Sequence, residues 1–265
     1  MTTDSTFPDQ TADLPDGAKM PLLGFGTWQI KGADARAAVG WALEAGYRHL
    51  DTATVYGNEA EVGAALKDSG VNRDEVFLTT KMPGGGGGRE TETLAKSLDR
   101  LGTDRVDLWL IHWPNDGAAD VPMWQALIDA HKQGQARAIG VSNYSLAMID
   151  ELISATGVTP AVNQIEWSPL LFDQATLDGH RERGIVVEGY SALRGGTLDN
   201  PTINEIAQRH GKSPAQVIIR WHLQHGIVVI PKSVKQERIV ANAAVADFEL
   251  TDEDMKAMDG LAASP

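Results

Sequence analysis

The sequence predicts an α/β protein, a single-domain (β/α)₈ barrel over residues 1–265 with a short N-terminal β-hairpin. Three observations carry that expectation. Eight short apolar runs recur along the chain. Helix-length stretches rich in Ala, Leu, Glu and Arg separate them, the pattern of a parallel sheet covered by helices. No linker or shift in composition divides the chain, so about 250 residues of such units fit one closed barrel better than an open sheet or two small domains.

Residues 1–13, polar and acidic, read as a loose leader unlike a signal or transit peptide. "LPDGAKMP" (14–21) reads as a tight hairpin turn before the first barrel strand. The eight strands are expected at 22–28, 47–51, 75–81, 105–112, 136–143, 160–166, 184–191 and 226–233. Amphipathic segments such as 33–46 and 89–102 fill the gaps, and several end in glycine, a common helix C-cap. The segment 213–226 has the clearest boundaries. Ser213 is its N-cap, Pro214 stands at the first helical position, Gln216 is two residues further, and Gly226 ends the helix. Thr251 opens 250–260 in the same way, with Asp254 three residues on.

Composition removes several function classes. The formal net charge of −13 opposes nucleic-acid binding. The absence of cysteine excludes disulfides, thiolate zinc sites and iron–sulfur clusters. No apolar run reaches the roughly 18 residues that span a bilayer, so no membrane role and a cytoplasmic location are expected. One stretch runs against the acidic balance: "PKSVKQER" (231–238) holds Lys232, Lys235 and Arg238 within seven residues. It suits a small anionic ligand or, more plainly, a solvated helix end.

In barrels of this type catalytic groups sit at the C-terminal ends of the strands. Those ends carry Asp51, Lys81, His112, Ser142, Asn143, Gln164, Tyr190, Ser191, Lys232 and Ser233, and Tyr56 follows Asp51 in the second βα loop. Strand ends meet water, which explains polarity alone. It explains less well an acid, a phenol, an amine and an imidazole from three neighbouring strands. Lys81 beside Asp51 stays protonated, and its charge lowers the Tyr56 pKa from about 10. At an effective dielectric of about 20, unit charges about 4 Å apart interact by about 4 kcal/mol, an upper-end shift of about three pH units. Tyr56 is then a general acid, tuned by Lys81 and Asp51, with His112 orienting a carbonyl. Trp28 and Trp113 follow strand ends and are expected in the pocket wall.

The segments "MPLLGFGTW" (20–28), "AGYRHLDTATVYGNE" (45–59), "VDLWLIHWP" (106–114), "IGVSNY" (139–144), "VNQIEWSP" (162–169) and "IPKSVKQERIVAN" (230–242) together resemble the aldo-keto reductase family, closest to its bacterial diketogluconate-reductase-like branch. The resemblance implies a monomeric, metal-independent barrel that reduces small-molecule carbonyl substrates with NADPH. It places the catalytic tetrad on Asp51, Tyr56, Lys81 and His112. It assigns the nicotinamide carboxamide to Ser142, Asn143 and Gln164, the ring stack to Tyr190, and the pyrophosphate path to Ser191 and Leu193. Lys232, Ser233 and Arg238 fall at the adenosine 2′-phosphate, Asn242 at adenine, and Val234 among the other cofactor contacts. The chain departs from the family pattern at Gly84–Gly88 after Lys81, at Ser168, at Ala241 and in a short C-terminus. These departures bear on substrate choice.

Other readings carry less. "GFGTWQ" lacks the third glycine of a dinucleotide fingerprint, and no Lys-Ser or Lys-Thr follows the glycine run, which reads as a mobile loop. His49 reads as a hydrogen-bonded core histidine, and His222 with His225 lack a third metal ligand. Two rival functions remain in view. One is a barrel that binds NADPH as a regulatory module. The other is a hydrolase using Glu166 and Glu188, which lie near strand ends as glycosidase carboxylates do.

Overall fold

The computed structural model describes residues 7–15, 17–85 and 87–263. Strands β1 (Thr11–Asp13) and β2 (Lys19–Pro21) form an antiparallel hairpin. The expected leader is therefore corrected over residues 11–13: these polar residues pair in register with Lys19–Pro21. Phe7 packs edge-on against Tyr47, with ring centroids 5.4 Å apart. Residues 1–6 lie outside the described residues.

The barrel strands are β3 (Phe25–Gly26), β4 (His49–Asp51), β5 (Phe77–Met82), β6 (Val106–Ile111), β7 (Ala136–Ser142), β8 (Val162–Glu166), β9 (Val186–Tyr190) and β10 (Val228–Val229). They pair in parallel in chain order. A parallel bridge between Leu23 and Val229 closes the ring, with Gly24 N donating to the Val229 carbonyl at 2.9 Å. Every expected strand is present and each is shorter than the apolar run that announced it. The eighth shortens because Pro231 has no N–H to give the ladder, although its carbonyl still accepts from Gly26.

Helices α1 (Gly32–Glu44), α2 (Glu59–Ser69), α3 (Glu90–Leu101), α4 (Val121–Lys132), α5 (Leu146–Thr156) and α6 (Gln174–Glu182) follow the first six barrel strands. Two helices, α7 (Pro201–His210) and α8 (Pro214–Gln224), lie between β9 and β10, and α9 (Gln236–Ala243) and α10 (Asp252–Asp259) follow β10. Both expected capping boxes form. Ser213 Oγ accepts from Gln216 N while Gln216 Oε1 accepts from Ser213 N, and Thr251 and Asp254 repeat the exchange.

Residues two apart on a strand face the same side. Leu50 and Leu78 are fully buried apolar positions, and Thr80 turns outward to donate to Glu59 of α2 at 2.6 Å. The alternate residues His49, Asp51, Thr79 and Lys81 meet one another inside the barrel. The interior above mid-height is thus polar, and that layer builds the site.

Candidate active site

Asp51 ends β4, Lys81 lies on β5, and His112 follows β6. Tyr56 closes a short 3₁₀ turn, Thr54–Tyr56, directly after β4. Two side chains pin that turn over the barrel mouth. Thr54 Oγ1 donates to the Lys81 carbonyl at 2.9 Å. Asn58 donates to the carbonyls of Thr27 and Ile30 and accepts from Thr52 Oγ1. Asn58 is fully buried and was not singled out in the sequence. Its signal was a lone Asn between a turn and a helix, the position such a cap takes.

Lys81 Nζ lies 2.7 and 2.8 Å from the two Asp51 oxygens and 2.9 Å from the Thr52 carbonyl. An ammonium has three N–H groups, and these contacts use them. Tyr56 Oη stands at 3.5 Å, the outer limit of a hydrogen bond. Gln164 Nε2 donates to Asp51 Oδ2 at 2.9 Å from across the barrel. The Tyr56 and His112 rings meet edge to face, with centroids 5.6 Å apart. All four groups expected to converge do so.

Their protonation differs from the sequence expectation in one respect. Burial pushes the Tyr56 phenol above its ordinary pKa; Lys81 pulls it down and Asp51 pushes it up again. The net shift is upward, which corrects the expected lowering. Lys81 is not a free charge, because Asp51 neutralises it at 2.7 Å. Tyr56 therefore keeps its proton at neutral pH and has one to give. Burial lowers the Lys81 pKa, yet Asp51 outweighs it and leaves the ammonium firmly charged. Burial, reinforced by Lys81, brings His112 down to about 4, so its imidazole is neutral and can hydrogen-bond a carbonyl without giving up a net proton.

The residues tied in sequence to a nicotinamide also come together. Ser142 Oγ donates to the Gln164 carbonyl at 2.8 Å, Asn143 Nδ2 donates to Ser142 Oγ at 3.0 Å, and Tyr190 donates to Asn143 Oδ1 at 2.7 Å. Asn143 adopts a φ of 64°, a left-handed position that asparagine tolerates, and this turns its amide back toward the barrel mouth. Tyr190, Ser191 and Leu193 are half-buried at the end of β9. Lys232, Val234, Lys235 and Arg238 are exposed; Ser233 and Asn242 are buried beside them. Among the described residues no carboxylate pairs with Lys232, Lys235 or Arg238, on a chain where acids outnumber bases.

A family model described as the aldo/keto reductase family matches residues 22–263. The chain belongs to the aldo/keto reductase family. This aldo/keto reductase is 46% identical to an aldo-keto reductase of Mycolicibacterium smegmatis over 94% of its length and 92% of the relative's. It is 45% identical to a protein named glyoxal reductase from Bacillus subtilis, over 95% and 92% of the two chains. A crystal structure of an aldo/keto reductase from Brucella melitensis superposes with a TM-score of 0.92 at 43% identity, covering 96% of this chain and 98% of that one.

Around Tyr56 this aldo/keto reductase exposes an apolar rim: Trp28, Val55 and Trp113 are 41%, 58% and 53% accessible. The two tryptophans were expected in this wall; Val55 was not. Arg194 lies over the Trp28 ring at 5.1 Å, joining the loops after β3 and β9. Among the described glycines of the run, the backbone approaches its neighbour closely at Gly84 and turns left-handed after it. A side chain at Gly84 would meet the Trp113 carbonyl at 2.5 Å, and Gly85, Gly87 and Gly88 have φ of 73°, 59° and 84°. Gly86 lies outside the described residues.

Three further histidines are held by backbone or carboxylate contacts. His49 is fully buried, with Nδ1 3.3 Å from the Pro21 carbonyl. His222 Nδ1 donates to the Ile218 carbonyl, and His225 pairs with Asp259. Glu188 has no exposure, so no sugar can reach it to share with the exposed Glu166.

Proposed function

We propose that this aldo/keto reductase reduces small aldehydes and ketones to alcohols with NADPH, and that reactive dicarbonyls such as glyoxal are among its substrates. The observation that carries the reading is the cluster of Asp51, Lys81, Tyr56 and His112 at the barrel mouth, with Lys81 Nζ 3.5 Å from the phenol oxygen. The glyoxal reductase of Bacillus subtilis, 45% identical, supports the substrate class.

The residues fit a phosphorylated dinucleotide. Lys232 and Arg238, cations without carboxylate partners among the described residues, suit the 2′-phosphate together with Ser233, while Val234 and Asn242 lie beside them, Asn242 for adenine. Ser142, Asn143 and Gln164 offer amide and hydroxyl groups for a carboxamide, the Tyr190 ring offers a face for stacking, and Ser191 and Leu193 lie along the pyrophosphate path. The cofactor supplies the hydride; the chain supplies alignment and charge.

Tyr56 gives its proton to the carbonyl oxygen as that oxygen gains charge. Lys81, held charged by Asp51, then stabilises the phenolate left behind. Neutral His112 donates a hydrogen bond to the same oxygen and fixes its direction. Trp28 and Trp113 cover the substrate's apolar part. We read the whole chain as one domain acting as a cytoplasmic monomer, of the diketogluconate-reductase-like branch. The acidic, cysteine-free composition and the six shared segments support that reading.

The test is direct. Purified protein is mixed with glyoxal and either NADPH or NADH, and loss of the reduced nicotinamide absorbance is followed. Turnover with NADPH well above that with NADH is expected. No oxidation of either cofactor by glyoxal or by a panel of small aldehydes would refute the reading.

A further inference from the structure

One buried acid has no part in the mechanism above. Glu188 sits on β9 inside the barrel, fully buried, and neither of its oxygens has a hydrogen-bond partner. Its ladder neighbours are Gln164 on β8 and Val228 on β10. From β4, His49 Nε2 lies 3.6 Å from Glu188 Oε1.

The state of that histidine decides the state of the acid. His49 Nδ1 faces the Pro21 carbonyl at 3.3 Å. A carbonyl oxygen only accepts, so Nδ1 carries the hydrogen and Nε2 of the neutral ring presents a lone pair. Burial holds this imidazole down to about 4, which keeps it neutral near pH 7. Gly24 leaves the ring its place: a Cβ there would lie 2.5 Å from His49 Nδ1. Thr79 Oγ1 lies 3.3 Å from that lone pair and can donate to it, so Glu188, at 3.6 Å, gains nothing from His49 as a carboxylate. As a neutral acid it escapes the cost of a buried charge.

The titratable or charged groups that face Glu188 are His49 and Asp51 from β4, Lys81 from β5, and Tyr56 from the loop after β4. β8 adds the amide of Gln164, which with Lys81 favours the ionised carboxyl but does not outweigh burial and Asp51, and β10 adds Val228. We propose that Glu188 is a positioning residue of the carbonyl-reducing site, a buried carboxylic acid beside the neutral His49 ring, whose neutrality leaves Asp51 and Lys81 as a neutral pair beneath Tyr56. This role rests on Tyr56 being the acid, as proposed above. While Glu188 keeps its proton, the charges of Asp51 and Lys81 cancel. Once it ionises, the cluster holds one excess negative charge, which opposes phenolate formation and slows proton donation. Burial, reinforced by Asp51, holds the carboxyl up to about 8, so this change falls just above neutrality. A buried acid without partners also costs stability, which a site of purely structural value would avoid.

Two measurements test the proposal. In the first, single-turnover reduction of glyoxal by NADPH is followed against pH. The wild-type rate is expected to fall at least about tenfold to a lower plateau as pH rises through about 8, and Glu188→Gln, which cannot ionise, is expected to lack that fall. Glu188→Met, similar in volume, gives the same comparison if the glutamine variant does not fold. In the second, the infrared difference between wild type and variant at pH 7 is expected to contain a carboxylic-acid carbonyl band that vanishes as the pH rises. Parallel pH profiles for wild type and variant, or no acid band at pH 7, overturn the role given to Glu188. The band needs no turnover. An acid band together with full turnover in Tyr56→Phe therefore places the failure in the tetrad reading, whereas parallel profiles with an inactive Tyr56→Phe place it in Glu188.

Discussion

The two ends of the barrel each hold a buried carboxylate against cations, and they choose different cations. At the N-terminal end Asp107 of β6 accepts from Leu78 N at 3.0 Å and pairs with Arg73 at 2.8 Å and Arg137 at 3.3 Å. Arg73 gives its other N–H groups to Thr103 Oγ1 and to the carbonyls of Val76 and Arg105. At the C-terminal end Asp51 holds Lys81, whose compact charge sits next to a half-buried phenol. A guanidinium fork saturated by loop carbonyls ties segments together. An ammonium on a long stem can be held by one acid and still act on a neighbour. The same pairing is scaffold at one end and, in the proposed reduction, chemistry at the other.

The sharpest way to break this comparison is to remove one cation or acid at each end. Lys81→Met is expected to lower kcat by about 10²–10⁴-fold, because the phenolate loses its stabilising charge. Asp107→Asn is expected to cost about 1–3 kcal/mol in denaturant unfolding while kcat of the folded protein stays within about twofold. Comparable kcat losses in both variants would erase the distinction between the two ends.

Acid tests the middle of the barrel. His49 and His222 are fully buried and held down to about 4 in the fold, against about 6.5 when unfolded. Below about 6.5 the unfolded chain takes up protons that the fold refuses, so the stability each contributes is intact above that pH and is lost as pH falls toward 4. The loss reaches about 3 kcal/mol per group. Denaturation midpoints of the wild type should therefore fall relative to His222→Gln across that window; parallel curves would contradict the burial of a neutral ring.

The cations of 232–238 are a third case, exposed and without carboxylate partners among the described residues. Arg238→Ala is expected to weaken NADPH binding by about 1.5–3 kcal/mol, roughly 10- to 150-fold, and NADH far less. Fluorescence titration with each cofactor checks this, and equal losses would remove the 2′-phosphate assignment.

The fold was legible because its strands are apolar runs with helical spacing between them, and the site because catalytic groups crowd the strand ends. The hairpin's first strand was not legible, since Thr11, Ala12 and Asp13 carry no apolar alternation. The sign of the Tyr56 shift was missed for a different reason. The chain order puts Lys81 near the phenol, but it does not reveal that Asp51 and the Thr52 carbonyl already use its three N–H groups. The meeting of His49 and Glu188 across the barrel joins residues more than a hundred positions apart, and no local pattern announces it.

In the proposed reduction Tyr56 is protonated and Lys81 steadies its conjugate base. Single-turnover oxidation of bound NADPH by glyoxal, compared in wild type and Tyr56→Phe, measures that step without product release. The expected result is a fall of at least about 100-fold with NADPH affinity unchanged. A rate within about twofold of wild type would contradict it.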